Sequence, residues 1–246
     1  MKYKLSWFLK ASSHYLTIFL LRFYQKNKQV VFVCGAPRSG TSWVSDVLAF
    51  YFNLPRPKHY VLPLLFECVV HTHSILNPKK YHNCFYVIRN GKNSFLSQYY
   101  MIKKLMLSEE KFVGKKLYKG IFKDVNKEEN TSHNVLELMK LESKKKDNLF
   151  EKYKKIHSYK EDSKSSLIIY EEAIENPIKV FSEAITKNTG SCDLERLEKV
   201  LELLSKKSQN KLPSKRKSTT INKTPSDSKD ILDDEAVRYY EKMISK

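Results

Sequence analysis

No stretch of this 246-residue chain is apolar enough to cross a membrane. The N-terminal run Tyr15-Leu16-Thr17-Ile18-Phe19-Leu20-Leu21 is bounded by Lys10 and His14 on one side and Arg22 on the other. That is far short of the ~20 apolar residues a spanning helix requires. No small-residue cleavage site follows, which argues against a signal peptide. The four cysteines, Cys34, Cys68, Cys84 and Cys192, show neither Cys-x-x-Cys spacing nor a paired framework. They read as small buried apolar residues in a reducing compartment, and no metal site is expected. No internal repeat occurs. Glycine is scarce, with six residues, and acidic side chains number 27 against 45 Lys and Arg, a formal charge of +18. Such an excess calls for an anionic partner (nucleic acid, membrane or a polyanionic ligand), although codon bias also produces lysine-rich, glycine-poor chains. The basic motif interleaved with aromatics that marks nucleic-acid binders is missing, so no nucleic acid is expected. The length suits one α/β domain, 1–246, with a sizeable core.

What is present is concentrated in Val30-Val31-Phe32-Val33-Cys34-Gly35-Ala36-Pro37-Arg38-Ser39-Gly40-Thr41-Ser42-Trp43. Five apolar, mostly β-branched residues enter a Gly/Pro/Ser turn, the way a buried strand ends. Trp43, Val44, Val47, Leu48 and Tyr51 then recur at helical spacing, predicting a helix over Thr41–Phe52. A strand, a tight turn and a helix N-terminus make an anion site, because unpaired backbone N–H groups and the helix dipole point into the turn. The spacing Gly35-x4-Gly40 copies the nucleotide P-loop, but Thr41 stands where that motif has its lysine. Arg38 supplies a planar, permanently charged fork inside the loop instead. The cradle suits a tetrahedral anion and argues against ATP.

Gly35-Ala36-Pro37-Arg38-Ser39-Gly40-Thr41-Ser42-Trp43 resembles the 5′-phosphosulfate loop of the sulfotransferases. Phe85-Tyr86-Val87-Ile88-Arg89-Asn90, with Ser97 eight residues after Arg89, resembles that family's 3′-phosphate segment. Ile169-Tyr170-Glu171-Glu172 with Asn176-Pro177 resembles its element beside the adenine. The three segments occur in the family's order over roughly residues 30–185. The resemblance implies a three-layer αβα fold with a central parallel sheet. It also implies transfer of a sulfuryl group from 3′-phosphoadenylyl sulfate (PAPS) to a hydroxyl or amine of a small molecule, lipid or glycan.

The resemblance assigns roles. Arg38 and the loop residues Ser39, Gly40, Thr41 and Ser42 would hold the 5′-phosphosulfate, with Arg38 stabilising the leaving oxygen. Arg89 and Ser97 would take the 3′-phosphate. Trp43 and Tyr170 would flank the adenine, with ordinary core packing the alternative for each. His71-Thr72-His73-Ser74 resembles the Lys-Thr-His-Leu segment of cytosolic members, which makes His73 the general base. His71 replaces the family lysine, and Glu67 is the alternative base, as in glycan-directed relatives. Lys215-Arg216-Lys217-Ser218 resembles the start of the family's closing motif, so Arg216 and Lys217 are expected at the 3′-phosphate, with Lys223 an alternative. A sulfuryl group carries less charge than a phosphoryl group, so no metal is required.

The apolar segments Val69–His73, Phe85–Ile88 and Leu167–Tyr170 read as further strands of a parallel sheet buried on both faces. Val30–Cys34 and Phe85–Ile88 should be neighbours, since Arg38 and Arg89 must reach two ends of one nucleotide, outside the C-terminal ends of the strands. Residues 1–28 read as an amphipathic helix packed on the domain, with peripheral membrane contact as the sharper alternative. The 102–165 region is helix-forming and charged (17 lysines against 11 acidic residues from Ile102 to Lys164), and by the resemblance shapes the acceptor side. The 206–230 segment is a basic loop, and Asp233–Ile244 a closing helix. The expected location is the cytoplasm. Two other classes compete: a P-loop nucleotide or metabolite kinase, which Thr41 argues against, and a non-catalytic binder of nucleic acid or anionic membrane.

Overall fold

The computed structural model describes residues 2–25, 29–57, 64–107, 118, 121, 131–159, 165–205 and 231–245, with the side chains of 2–7 outside that set. Four strands, β1 (Val30–Gly35), β2 (Cys68–Thr72), β3 (Cys84–Ile88) and β4 (Ser165–Ile169), form one sheet in the order β2-β1-β3-β4. Every pairing is parallel. β1 and β3 are neighbours, as the sequence required.

Alternation along the strands feeds two cores. Phe32, Cys34, Val70 and Tyr86 point to one face, where they join Phe95 and Phe150. Val31, Val33, Val69 and Phe85 point to the other, against Trp43, Val47, Phe181 and Leu197. With both faces covered, the strands carry unbroken apolar runs and the molecule is a three-layer αβα sandwich.

Among the described residues the helices are α1 (Lys2–Tyr24), α2 (Thr41–Phe52), α3 (Gly91–Leu107), α4 (Thr131–Ser143), α5 (Leu149–His157), α6 (Tyr170–Glu175), α7 (Pro177–Thr189), α8 (Leu194–Leu203) and α9 (Asp234–Ser245). α2 occupies the expected span and stops at Asn53, whose left-handed conformation turns the chain out of the helix.

β4 and α1 depart from the sequence reading. β4 is Ser165–Ile169, and Tyr170 opens α6 instead of ending the strand. Glu171 and Glu172 in the first turn favour a helix start there. Ser165 and Ser166 at the start of β4 break the apolar run, yet both are buried. Their hydroxyls donate to the carbonyls of Tyr159 (2.6 Å) and Ala184 (2.8 Å). α1 is the other surprise: Ser13, Thr17 and Gln25 are buried with Ile18 and Leu21, while its aromatic rings face out.

Candidate active site

Strand register assembles the site. β1 and β2 pair Val33 with His71 and Cys34 with Thr72, so the next residue, His73, falls beside Gly35. β1 and β3 pair Gly35 with Val87, bringing Arg89, two residues on, alongside the loop. β3 and β4 pair Ile88 with Ile169, so Arg89 lies next to Tyr170. All four groups meet at the C-terminal ends of the strands, where ligands of open α/β sheets bind.

The loop between β1 and α2 is held tightly. A Cβ on Gly35 would meet the Ser39 hydroxyl and the Val87 carbonyl, each at 2.7 Å, so the loop closes only over glycine. Arg38 has φ 69° and Gly40 φ 90°. A left-handed arginine costs energy and is kept where the surroundings demand it. Ser39 spends both donors on the Ala36 carbonyl, its hydroxyl at 2.7 Å and its N–H at 3.2 Å. This corrects the expectation that the Ser39 N–H faces an anion. Gly40 caps α2 without a side-chain acceptor, leaving the first-turn N–H groups of Thr41 and Ser42 for a ligand.

Arg38 points along the site. Its Nε donates to the Ser97 hydroxyl at 3.1 Å, joining the residue expected at the 5′ end of a nucleotide to one expected at the 3′ end. Arg89 Nη1 donates to the Arg38 carbonyl at 3.2 Å, and its guanidinium lies 4.8 Å from the Tyr170 ring centre. Burial, then the neighbouring Arg89 charge, pulls the Arg38 guanidinium below its ordinary pKa, without removing its charge at neutral pH. Two cations this close favour an anion between or beside them. Glu171 tempers the site: its Oε1 accepts from the Asn90 N–H at 3.0 Å and lies 3.9 Å from Arg89 Nε. Asn90 Oδ1 accepts from the N–H groups of Lys92 (3.0 Å) and Asn93 (3.3 Å), capping α3. A cavity of ≈ 860 Å³ opens next to these residues, lined by Arg89, Lys92, Lys154, Glu171 and Tyr240.

The two histidines differ in kind. His73 lies at the exposed end of β2, and its Nδ1 is 2.9 Å from the Gly35 carbonyl. A carbonyl only accepts, so Nδ1 carries the proton and Nε2 keeps its lone pair. The Thr72 hydroxyl fixes the bend that aims His73 by accepting from the Ser74 N–H at 3.0 Å. Although the residue is exposed, the groups packed around its ring strip water from one side and pull the His73 pKa down, and the Gly35 bond offsets part of that. His71 is turned inward, with Nε2 2.9 Å from the Thr41 hydroxyl. Burial and the facing His73 pull it to about 3. It is therefore neutral at physiological pH and adds no positive charge at the loop, unlike a lysine. Nothing in the sequence pattern signalled its contact with Thr41, nor the buried ion pair of Asp46 and Arg56 (2.6 Å), whose charge also acts on His71.

Two expected residues, Glu67 and Trp43, are placed away from the expected roles, and three others lie outside the described residues. Glu67 precedes β2, and its Oε1 accepts from the Gln29 N–H at 3.2 Å, at the N-terminal end of the sheet. The length of β2, roughly 17 Å, separates it from His73. It is at the wrong end to serve as a base. Trp43 is buried, set edge-on to Phe181 (5.4 Å) and Tyr170 (6.1 Å), inside the second core. Arg216, Lys217 and Lys223 lie outside the described residues, as do the 206–230 loop and much of the 102–165 region.

No family model matches the chain, and no curated protein matches it. Solved structures match its fold. A mouse sulfotransferase, SULT7A1, complexed with PAP aligns at TM-score 0.58 and 15% identity, over 87% of this chain and 82% of that one. Retinol dehydratase in complex with androsterone and inactive cofactor PAP aligns at TM-score 0.58 and 14% identity, over 88% of this chain and 79% of that one. Its complex with retinol and PAP gives TM-score 0.57 and 14% identity, over 88% and 80%. The chain has the αβα fold of these proteins.

Proposed function

We propose that the protein is a sulfotransferase that uses PAPS and transfers its sulfuryl group to a hydroxyl or amine of a small molecule, lipid or glycan. One observation carries the reading. A P-loop-like turn lacking the lysine, two converging arginines and a histidine with a free Nε2 stand together at the ends of three adjacent strands. The fold shared with proteins whose structures hold PAP supports it.

The residues fit a donor with two separated anionic groups. The uncapped start of α2 with Arg38 suits the 5′-phosphosulfate, and Arg89 with Ser97 suits a 3′-phosphate. When bound, PAPS supplies an activated sulfuryl group on a phosphate leaving group. Arg38 would release Ser97 and turn its charge toward the oxygen on which negative charge builds, stabilising the transition state more than the ground state. His73 Nε2 would take the proton from the acceptor, and Nδ1–H to Gly35 would hold the ring in the productive tautomer. His71, being neutral, would position the Thr41 hydroxyl without contributing charge. Tyr170 packs against Gly40 and beneath Arg89, and would form a wall for the adenine. Among the described residues no helix is long and apolar enough to cross a membrane. The free cysteines Cys34, Cys68, Cys84 and Cys192 suit a reducing compartment, and on that ground we place the protein in the cytoplasm.

The test is calorimetric titration with 3′,5′-adenosine bisphosphate in chelator, followed by a screen of acceptor classes with labelled donor and product detection by mass. Magnesium-independent binding of the bisphosphate is expected. Binding of ATP that requires magnesium would favour a kinase and overturn the reading.

A further inference from the structure

We propose that the outward face of α1 is a docking face for an anionic lipid bilayer, with the helix lying in the headgroup layer. A helix on a water-soluble surface buries its apolar stripe and shows its polar one. α1 does the reverse. Its inward face is committed through polar groups: His14 Nε2 lies 3.2 Å from the Thr72 hydroxyl, Thr17 accepts from the Leu64 N–H at 2.9 Å, and Gln25 donates to the Lys80 carbonyl at 2.8 Å. Among the described side chains of α1, Ile18 and Leu21 add apolar contact to the core.

The outward face is a stripe of rings. Phe8, Tyr15, Phe19 and Phe23 are 61%, 64%, 55% and 60% exposed, with Leu9 and Leu16 beside them at 45% each. At 100° per residue these six positions fall within about a third of the helix circumference, opposite Thr17 and Leu21. Phe19 and Phe23 stack edge to face at 5.4 Å, and the Arg22 guanidinium lies 5.8 Å from the Phe23 ring centre. Aromatic rings with a few cations on a helix too polar to span are the make-up of interfacial helices.

Charge selects the occupant. Residues 1–29 contain five lysines and Arg22 and no acidic residue. A second copy docked on the same face would set those cations against themselves, because a two-fold contact pairs a surface with itself. Acidic headgroups would neutralise them. This surface does not depend on the sulfotransferase reading.

The experiment is co-sedimentation with vesicles of phosphatidylcholine alone and of phosphatidylcholine mixed with phosphatidylserine. Wild-type protein should pellet with the mixed vesicles at low salt, and much less with the neutral ones. The exposed triple change Phe8→Ser, Phe19→Ser and Phe23→Ser should lower partitioning about ten-fold or more. Arg22→Glu, at the edge of the stripe, should lower it by about five-fold. Far-UV circular dichroism checks that the variants fold, and titration with 3′,5′-adenosine bisphosphate reads the nucleotide site separately. Wild-type protein that stays in the supernatant with mixed vesicles would overturn the proposal, as would variants that bind like wild type. A wild-type dimer that the triple change converts to monomer would show that a second copy covers the face.

Discussion

Replacing Arg89 by alanine separates a ligand contact from a structural one, and the geometry sets the size of each. Nη1 donates to the Arg38 carbonyl at 3.2 Å, so its removal loosens the loop for any nucleotide held there. A bond to a neutral carbonyl is worth about 1 kcal/mol, or about five-fold in affinity. A charge-assisted contact to a 3′-phosphate adds about 1.5–3 kcal/mol, but only for a ligand that carries that group. Magnesium-free titration calorimetry with 3′,5′-adenosine bisphosphate and with adenosine 5′-phosphosulfate reads both. The phosphosulfate, which lacks the 3′-phosphate, should weaken about five-fold. The bisphosphate should weaken a further 13- to 160-fold, roughly. The difference between the two losses reports the 3′-phosphate contact and cancels the loop effect. Equal losses would show that Arg89 serves the loop alone, and the assignment of Ser97 to the same phosphate would fall with it.

Other outcomes follow from the same geometry. His73→Ala should leave bisphosphate affinity near wild type and lower turnover by roughly 10²–10⁴-fold. Glu67→Gln, at the far end of the sheet, should keep full turnover, and the opposite pattern in steady-state assays would reverse the base assignment. Because burial lowers the His73 pKa, kcat/KM should rise with pH and level off below the ordinary histidine range near 6.5. His71 is held at about 3, so below pH 6.5 the unfolded chain takes up a proton that the native state refuses, and stability falls as pH falls. Between pH 6.5 and 5 this amounts to about 2 kcal/mol. His71→Gln should reduce that slope in denaturant melts, with His14 and His73, whose pKa values are also lowered, supplying the remainder; an unchanged slope would mean His71 is not a contributor. Gly40→Ala places a methyl group on the Tyr170 ring at φ 90°. It should cost about 1–3 kcal/mol of stability and weaken bisphosphate binding in the same titration; wild-type values for both would show the loop tolerates the change.

Local pattern alone carried a good part of the structure. The β-branched run at Val30, the turn after Cys34 and the helical spacing from Thr41 act within a few residues, so the strand, the loop and α2 were readable with near-exact limits. The unbroken apolar character of Phe85–Ile88 announced a buried parallel strand for the same reason. The convergence of Arg38, Arg89, Ser97 and His73 was legible only through the resemblance, because spacing along a chain does not say which strands adjoin. Register decided that His73 meets Gly35, that Arg38 reaches Ser97, and that His71 turns in to Thr41. It also set Glu67 at the opposite end of the sheet, although only five residues part it from His73, because a strand carries its two ends as far apart as its length allows. The exposed rings of α1 were beyond the sequence for a related reason. A helix apolar on two sides has no preferred face of its own, and the hydrogen bonds from His14, Thr17 and Gln25 to distant segments chose which side turned inward.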